Sequence, residues 1–306
     1  MNPFPDPDIS FLAEYLEASR NNCAACIDQV NHDLSVSGVN ANLRFHYLRF
    51  DGNGQPKLKD LAEVLVNHVV EYALSMRSRD GARKPHEIIA LGRRARELFT
   101  LKEGSGEAGE MLLYMLLEAI LEAPQVVAKM DLKTSPHMEV FGSDGVHVKW
   151  CDADDCLDLY FLESKLEKRV SSALRNAFNS IAVFHEKQAD DHEIRLVTSH
   201  FKHLKECERE AVLHYVDRSR PGRDARINHA CLIGFDYDQY SEAQLVGAQA
   251  VSVFKQEYER HMLRVQKLLQ SQADSFTLKH LRLEMFFLPF PTVNEFRKSF
   301  VKIMRS

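Results

Sequence analysis

Residues 157–165 read LDLYFLESK, an apolar run that ends in a carboxylate and an ammonium two positions apart. Strand side chains alternate faces with period two. Leu157, Leu159, Phe161, Glu163 and Lys165 therefore share one face, which passes from core into charge. Residues 144–150, DGVHVKW, mirror it: Asp144, Val146, Val148 and Trp150 share a face with the acid at the far end. The two segments are joined by CDADDC, six residues from Cys151 to Cys156. In a symmetric hairpin, opposed residues have numbers that sum to 307, so Trp150 faces Leu157, Val148 faces Leu159, Val146 faces Phe161, and Asp144 faces Glu163. Directly opposed β-carbons lie about 4.5–5.5 Å apart. Two carboxylates that close repel each other unless positive charge stands between them. Lys165 supplies part of that charge. A divalent cation with oxygen ligands, Mg²⁺ or Mn²⁺, would supply the rest.

Such a site suits phosphodiester hydrolysis. A bound metal polarises the scissile phosphate and lowers the pKa of its water, and a neighbouring lysine positions the nucleophile and stabilises the growing negative charge. A third carboxylate would complete the metal ligands Asp144 and Glu163. Glu110 is the first candidate, because it opens a helix just after two glycines, and Glu107, one turn earlier, is the second. E-x-K alone is weak, since roughly one is expected by chance in a chain of this size; its bland reading is a strand-end salt bridge. The hairpin register is what lifts the functional reading, and a β-bulge would break it.

The elements that must hold these residues follow from periodicity and turn signals. The pattern predicts helices over 9–30, 57–76, 85–100, 110–121, 166–188, 192–216, 242–270 and 293–304. Strands are predicted over 42–50, 125–132, 138–150, 157–165, 231–235 and 280–288. This order gives an α/β fold with a central sheet and helices on both faces. Residues 1–40 read as a separate N-terminal helical extension, and 41–306 as one domain.

Other groups were weighed beside the central four. Lys129, Asp131 and Lys133 alternate on the first strand of the set, and Lys129 is the best placed to touch substrate phosphate; a solvated edge is the competing reading. His137 and His147 lie near the site, but His147 shares a face with Gly145 and points away from Asp144. Cys23-Ala-Ala-Cys26 has no second CxxC and falls in a helical pattern, which favours structure over zinc. The basic runs at 77–84, 92–96 and 217–223 are candidate DNA or partner contacts, and more ordinarily solvated faces.

The whole chain sets the limits. Its 306 residues are 45% apolar and 27% charged, an ordinary globular mix. The longest apolar run, 111–121, is broken by Glu118 and too short to span a bilayer. The start, MNPFPDPD, carries no basic n-region, and six cysteines without a disulfide framework suit a reducing cytoplasm; Cys151 and Cys156, which flank the turn, would stay unpaired there. The formal net charge of −5 argues against coating nucleic acid by bulk charge.

A carboxylate on an early helix, an aspartate on one strand, E-x-K on the next and then a helix together resemble the PD-(D/E)xK nuclease superfamily. The matching residues are Glu110, Asp144, Glu163 and Lys165, although the proline is missing, since Asp144 sits in GSDGVHV. The blocks GEAGEMLLYMLLEAIL, VVAKMDLKT, FGSDGVHVKW, LDLYFLESKL and LEMFFLPFPTVNEFRKSF are similar, more narrowly, to the HamA family of Hachiman antiphage defence nucleases. The resemblance runs from about residue 40 to the end. It implies a restriction-endonuclease-like core at about 104–190, metal-dependent DNA cleavage with weak sequence preference, and action in a heterodimer with a superfamily 2 helicase, HamB, that holds the nuclease in check. It also implies that the helix after Lys165 adds a residue orienting the site, Arg175 or Asn176. Two alternatives stand beside it: a stand-alone repair or restriction nuclease, and a non-catalytic adaptor that regulates a helicase.

Overall fold

The computed structural model describes residues 7–18, 20–102, 104–127, 130, 145–187, 194, 201, 202, 204–217, 225–242 and 248–306. Among these, seven strands form one mixed sheet in the order β1-β2-β7-β6-β5-β4-β3. They are β1 (Ile27–Gln29), β2 (Asn40–Leu48), β3 (Gln125–Val127), β4 (Val146–Cys151), β5 (Cys156–Glu167), β6 (Arg226–Asp236) and β7 (Arg282–Phe290). The four central strands, β2, β7, β6 and β5, run parallel, and β1, β4 and β3 add antiparallel edges. Composition explains the centre. In β7 every residue after Arg282 is buried, as are Asn228 to Phe235 in β6, and strands covered on both faces must be apolar on both.

The helices are α1 (Arg20–Cys26), α2 (Leu58–Asn67), α3 (Val69–Ala73), α4 (Met76–Arg79), α5 (Pro85–Glu97), α6 (Glu107–Leu116), α7 (Val170–Glu186), α8 (Glu206–Val216), α9 (Gln239–Glu242), α10 (Ala248–Ser275) and α11 (Val293–Met304). Ring contacts assign them to faces. Phe296 of α11 stacks on Phe290 at 4.7 Å, on the face that also carries Leu166 and α6. Phe184 of α7 meets Phe161 at 5.0 Å, His261 of α10 stacks on Phe235 at 5.5 Å, and Tyr215 of α8 meets Trp150 at 5.4 Å, all on the opposite face. No helix among the described residues is long and apolar enough to cross a membrane.

Three expectations change. The stretch 9–30 is not one helix: it is a 3-10 turn (Ser10–Tyr15), then α1, then β1, which pairs with β2 at the sheet edge. Ile9, Leu12, Cys23, Cys26 and Ile27 are buried, so this segment packs as part of the sheet's own layers. The strand expected at 231–235 is β6, twice as long, because its polar start pairs with acids on β5. The helix expected to begin at 166 begins at Val170, since β5 runs on to Glu167.

Candidate functional site

The hairpin pairs as its arithmetic requires. Val146 opposes Phe161, Val148 opposes Leu159 and Trp150 opposes Leu157. Asp155 takes a left-handed backbone (φ 51°) to close the six-residue turn. The pairing goes one step beyond β4: the Leu162 amide donates to the Gly145 carbonyl at 3.3 Å. Asp144, the next residue, lies outside the described residues, as do Lys129, Asp131, Lys133 and His137.

On β5, Leu157, Leu159 and Phe161 are fully buried, and the same face then opens at Glu163 and Lys165. Lys165 Nζ stands 2.6 Å from Glu163 Oε1, with side-chain exposures of 25% and 19%. Both project toward the α7 and α10 side, where their neighbours on β6 are Cys231 and Ile233. Burial raises the pKa of Glu163 above the usual carboxylate value; the Lys165 ammonium and the Ser180 hydroxyl of α7 oppose that rise and do not cancel it. A carboxylate short of positive charge even beside a lysine suits a further cation. Among the described residues, no three His, Cys, Asp or Glu side chains are grouped closely enough to hold a metal. Glu163 is thus one ligand of a set that would need residues beyond those described.

Helix α6 reaches the same strand from the other face. Gly109 permits it: a β-carbon there would stand 2.3 Å from Ser164 Oγ and 3.0 Å from Leu166 Cγ. Glu110 is half-buried in the first turn of α6, its carboxylate folded over Gly106, where a β-carbon would lie 2.9 Å from Oε1. The helix that carries Glu110 therefore abuts the residue between Glu163 and Lys165, on the opposite side of the sheet. Glu107 is buried and accepts from the amides of Thr100 (2.7 Å) and Leu101 (3.1 Å) and from the Ser105 hydroxyl (3.3 Å). Its oxygens hold the loop before α6, which explains its place in the sequence without metal.

On α7, Arg175 is exposed and lies 3.5 Å from Ser172 of its own helix. Asn176 donates to Glu167 at 2.5 Å, tying the helix to the end of β5. His147 points away from the Glu163 face, as expected. It is fully buried beside Tyr114, hydrogen-bonds the Ala123 carbonyl at 2.7 Å, and burial pushes its pKa down to about 3. Cys23 and Cys26 are buried thiols, with pKa values pushed up by burial to about 12 and about 11, so neither is poised to ionise.

One buried charge cluster escaped the sequence reading. Glu118, in a π-turn (Leu117–Leu121) that ends α6, accepts from the amides of Glu17 (2.8 Å), Ala18 (2.7 Å) and Gln125 (3.1 Å). Lys202, also buried, reaches Glu17 at 3.1 Å and Gln125 at 2.8 Å, and Arg79 holds the same Glu17 at 2.7 Å. Burial raises the pKa of Glu118 and lowers that of Lys202. The signal was present: Glu118 is the acid that interrupts the longest apolar run. Its role is to pin residues 17 and 18 to the core.

Among curated proteins none matches the chain. The family model of HamA matches residues 24–304, a span that holds the E-x-K strand, the helix behind it and the closing helix α11. By that match over nearly its full length, the chain belongs to the HamA family.

Proposed function

We propose that this protein is a metal-dependent DNA nuclease of the PD-(D/E)xK type, the effector subunit of a Hachiman antiphage defence complex that acts with the helicase HamB. The observation that carries the reading is the Glu163–Lys165 pair, 2.6 Å apart at the end of an otherwise buried strand face. The hairpin register, followed one residue past Gly145 and Leu162, would set Asp144 against Glu163. Family membership supports the defence context.

In this reading Asp144, Glu163 and Glu110 hold Mg²⁺ or Mn²⁺, which when bound supplies Lewis-acid polarisation of the phosphate and an activated water. Lys165 does the rest from its side of the pair. Its ammonium orients the attacking water and meets charge that builds on the phosphoryl oxygens. Glu163 fixes that ammonium, and Ser180 fixes Glu163. The acidic net charge leaves the isolated chain with weak affinity for DNA, so strand capture falls to the helicase.

The competing adaptor reading takes the pair as a plain salt bridge. An exposed pair adds only about 0–1 kcal/mol, whereas this carboxylate carries a burial penalty, which favours a functional reason for keeping it. The test is plasmid DNA incubated with the chain in Mg²⁺ or EDTA, with and without HamB and ATP. Cleavage that needs the metal supports the nuclease, and its dependence on HamB separates a complex subunit from a stand-alone enzyme. A chain that binds HamB and never cleaves would be an adaptor.

A further inference from the structure

A cavity of about 450 Å³ lies between α11 and the loop that leads into α6. Five cations line it: Lys102, Arg297, Lys298, Lys302 and Arg305. Among the described lining residues there is no carboxylate. Glu107, just behind the loop, already has its oxygens on two amides and a hydroxyl.

Helix α11 explains how the cations gather. Val293, Phe296, Phe300 and Met304 form its buried stripe, and the basic residues at 297, 298, 302 and 305 follow beside it at helical spacing. Lys298 and Lys302 are four apart, and Lys302 and Arg305 three apart, so like charges are neighbours at a cost of about 0.2–0.5 kcal/mol each. Nothing in the helix's own stability asks for that arrangement. Two of the cations are fixed in place by carbonyls, not acids. Arg305 donates to Leu101 O at 3.0 Å, bridging the cavity's walls, and Arg297 donates to Leu166 O at 2.9 Å. Leu166 directly follows Lys165 on β5. The cavity therefore shares a wall with the end of the strand that carries the candidate catalytic pair, and Ala108, in the first turn of α6, lines it as well.

We propose that this cavity binds a backbone phosphate of the nucleic-acid strand and so holds that strand across the end of β5, beside Glu163 and Lys165. The proposal rests on the nuclease reading for its substrate class. It gives an acidic chain one local basic subsite with salt-dependent affinity.

The test is equilibrium binding of a fluorescent 20-base-pair duplex, and of one of its single strands, by the full chain in EDTA across a KCl series. Lys298 and Lys302 are both exposed, so the Lys298→Glu/Lys302→Glu variant and its Lys298→Gln/Lys302→Gln counterpart change charge with little effect on packing. The charge reversal is expected to weaken binding at least tenfold and to reduce the slope of log K against log salt by about two, roughly one per phosphate-contacting lysine. Arg264→Glu/Lys267→Glu, exposed on α10 across the sheet, should change binding less than twofold. Wild-type chain that shows no salt-dependent binding, or folded variants of both kinds that bind as wild type does, would overturn the proposal. So would variants that keep DNA binding and instead lose a copurifying acidic protein, which would make the cavity a protein-docking site. If wild type never cleaves DNA in metal yet binding still falls in the variants, the phosphate subsite stands and the nuclease reading fails.

Discussion

Gly109→Ala tests the packing that sets α6 against the catalytic strand. The added β-carbon would stand 2.3 Å from Ser164 Oγ and 3.0 and 3.1 Å from Leu166 Cγ and Cδ1. Ordinary carbon contacts lie at about 3.5–4.0 Å. Ser164 can relieve its part by rotating its hydroxyl, but Leu166 has nowhere to go. It is 4% exposed, and a β-carbon on Gly234, on its other side, would meet Leu166 Cδ2 at 2.3 Å. Leu166 is clamped between two glycines. Overpacking of this kind costs about 1–3 kcal/mol, while alanine for glycine inside a helix returns about 1 kcal/mol. The net effect expected is a loss of up to about 2 kcal/mol, so the sign is best read in a double-mutant cycle. Leu166→Ala costs about 2–5 kcal/mol alone, but it empties the clash. In that background Gly109→Ala should stabilise by up to about 1 kcal/mol, giving a coupling of about 1–3 kcal/mol by urea unfolding. Gly109→Ala that stabilises the wild-type background, with no coupling to Leu166, would refute the close approach.

Three further predictions bear on electrostatics. His46, His147 and His229 are buried, and burial pushes their pKa values down to about 4, 3 and 3; the unfolded chain binds protons first, so stability present above about pH 6.5 is lost as pH falls. For three such groups the loss between pH 6.5 and 5.5 is about 3 kcal/mol, checked by urea midpoints across that range. Lys202→Ala leaves Glu118 and Glu17 buried without their ammonium and should cost about 3–5 kcal/mol, with protease cutting near residue 17 as the local readout and Lys202→Arg as the milder control. The raised pKa of Glu163 favours folding below its unfolded value and costs stability as pH rises through its native value, so Mg²⁺ at about 100 times its Kd should stabilise wild type by about 2.7 kcal/mol, and Glu163→Gln should lose that thermal shift while remaining at least as stable without metal.

The hairpin was legible because both of its strands alternate cleanly and the turn between them has an even number of residues, which fixes opposition by arithmetic. Helix α11 was legible to the residue, since its apolar spacing starts after a Thr292 cap that accepts from Glu295. The strand order was not legible, because parallel neighbours such as β5 and β6 are joined through some 60 residues and nothing local marks the pairing. The polar start of β6 looked like loop because its partners are remote: Arg226 and Asn228 answer Asp158 on β5. Strand β1, three residues long, is too short for any period to show. Glu107 and Glu110 have the same residue type one turn apart, and only the loop folded onto Glu107 distinguishes them.

The central claim is that Glu163 and Lys165 belong to a nuclease centre. The direct measurement is plasmid cleavage in Mg²⁺, with HamB and ATP present, by wild type, Glu163→Gln and Lys165→Ala, each shown to be folded by its unfolding midpoint. The account predicts metal-dependent cleavage by wild type and a loss of at least a hundredfold in both variants, with HamB binding retained. Variants that cleave at the wild-type rate, or that fail only because they unfold or release HamB, would contradict it.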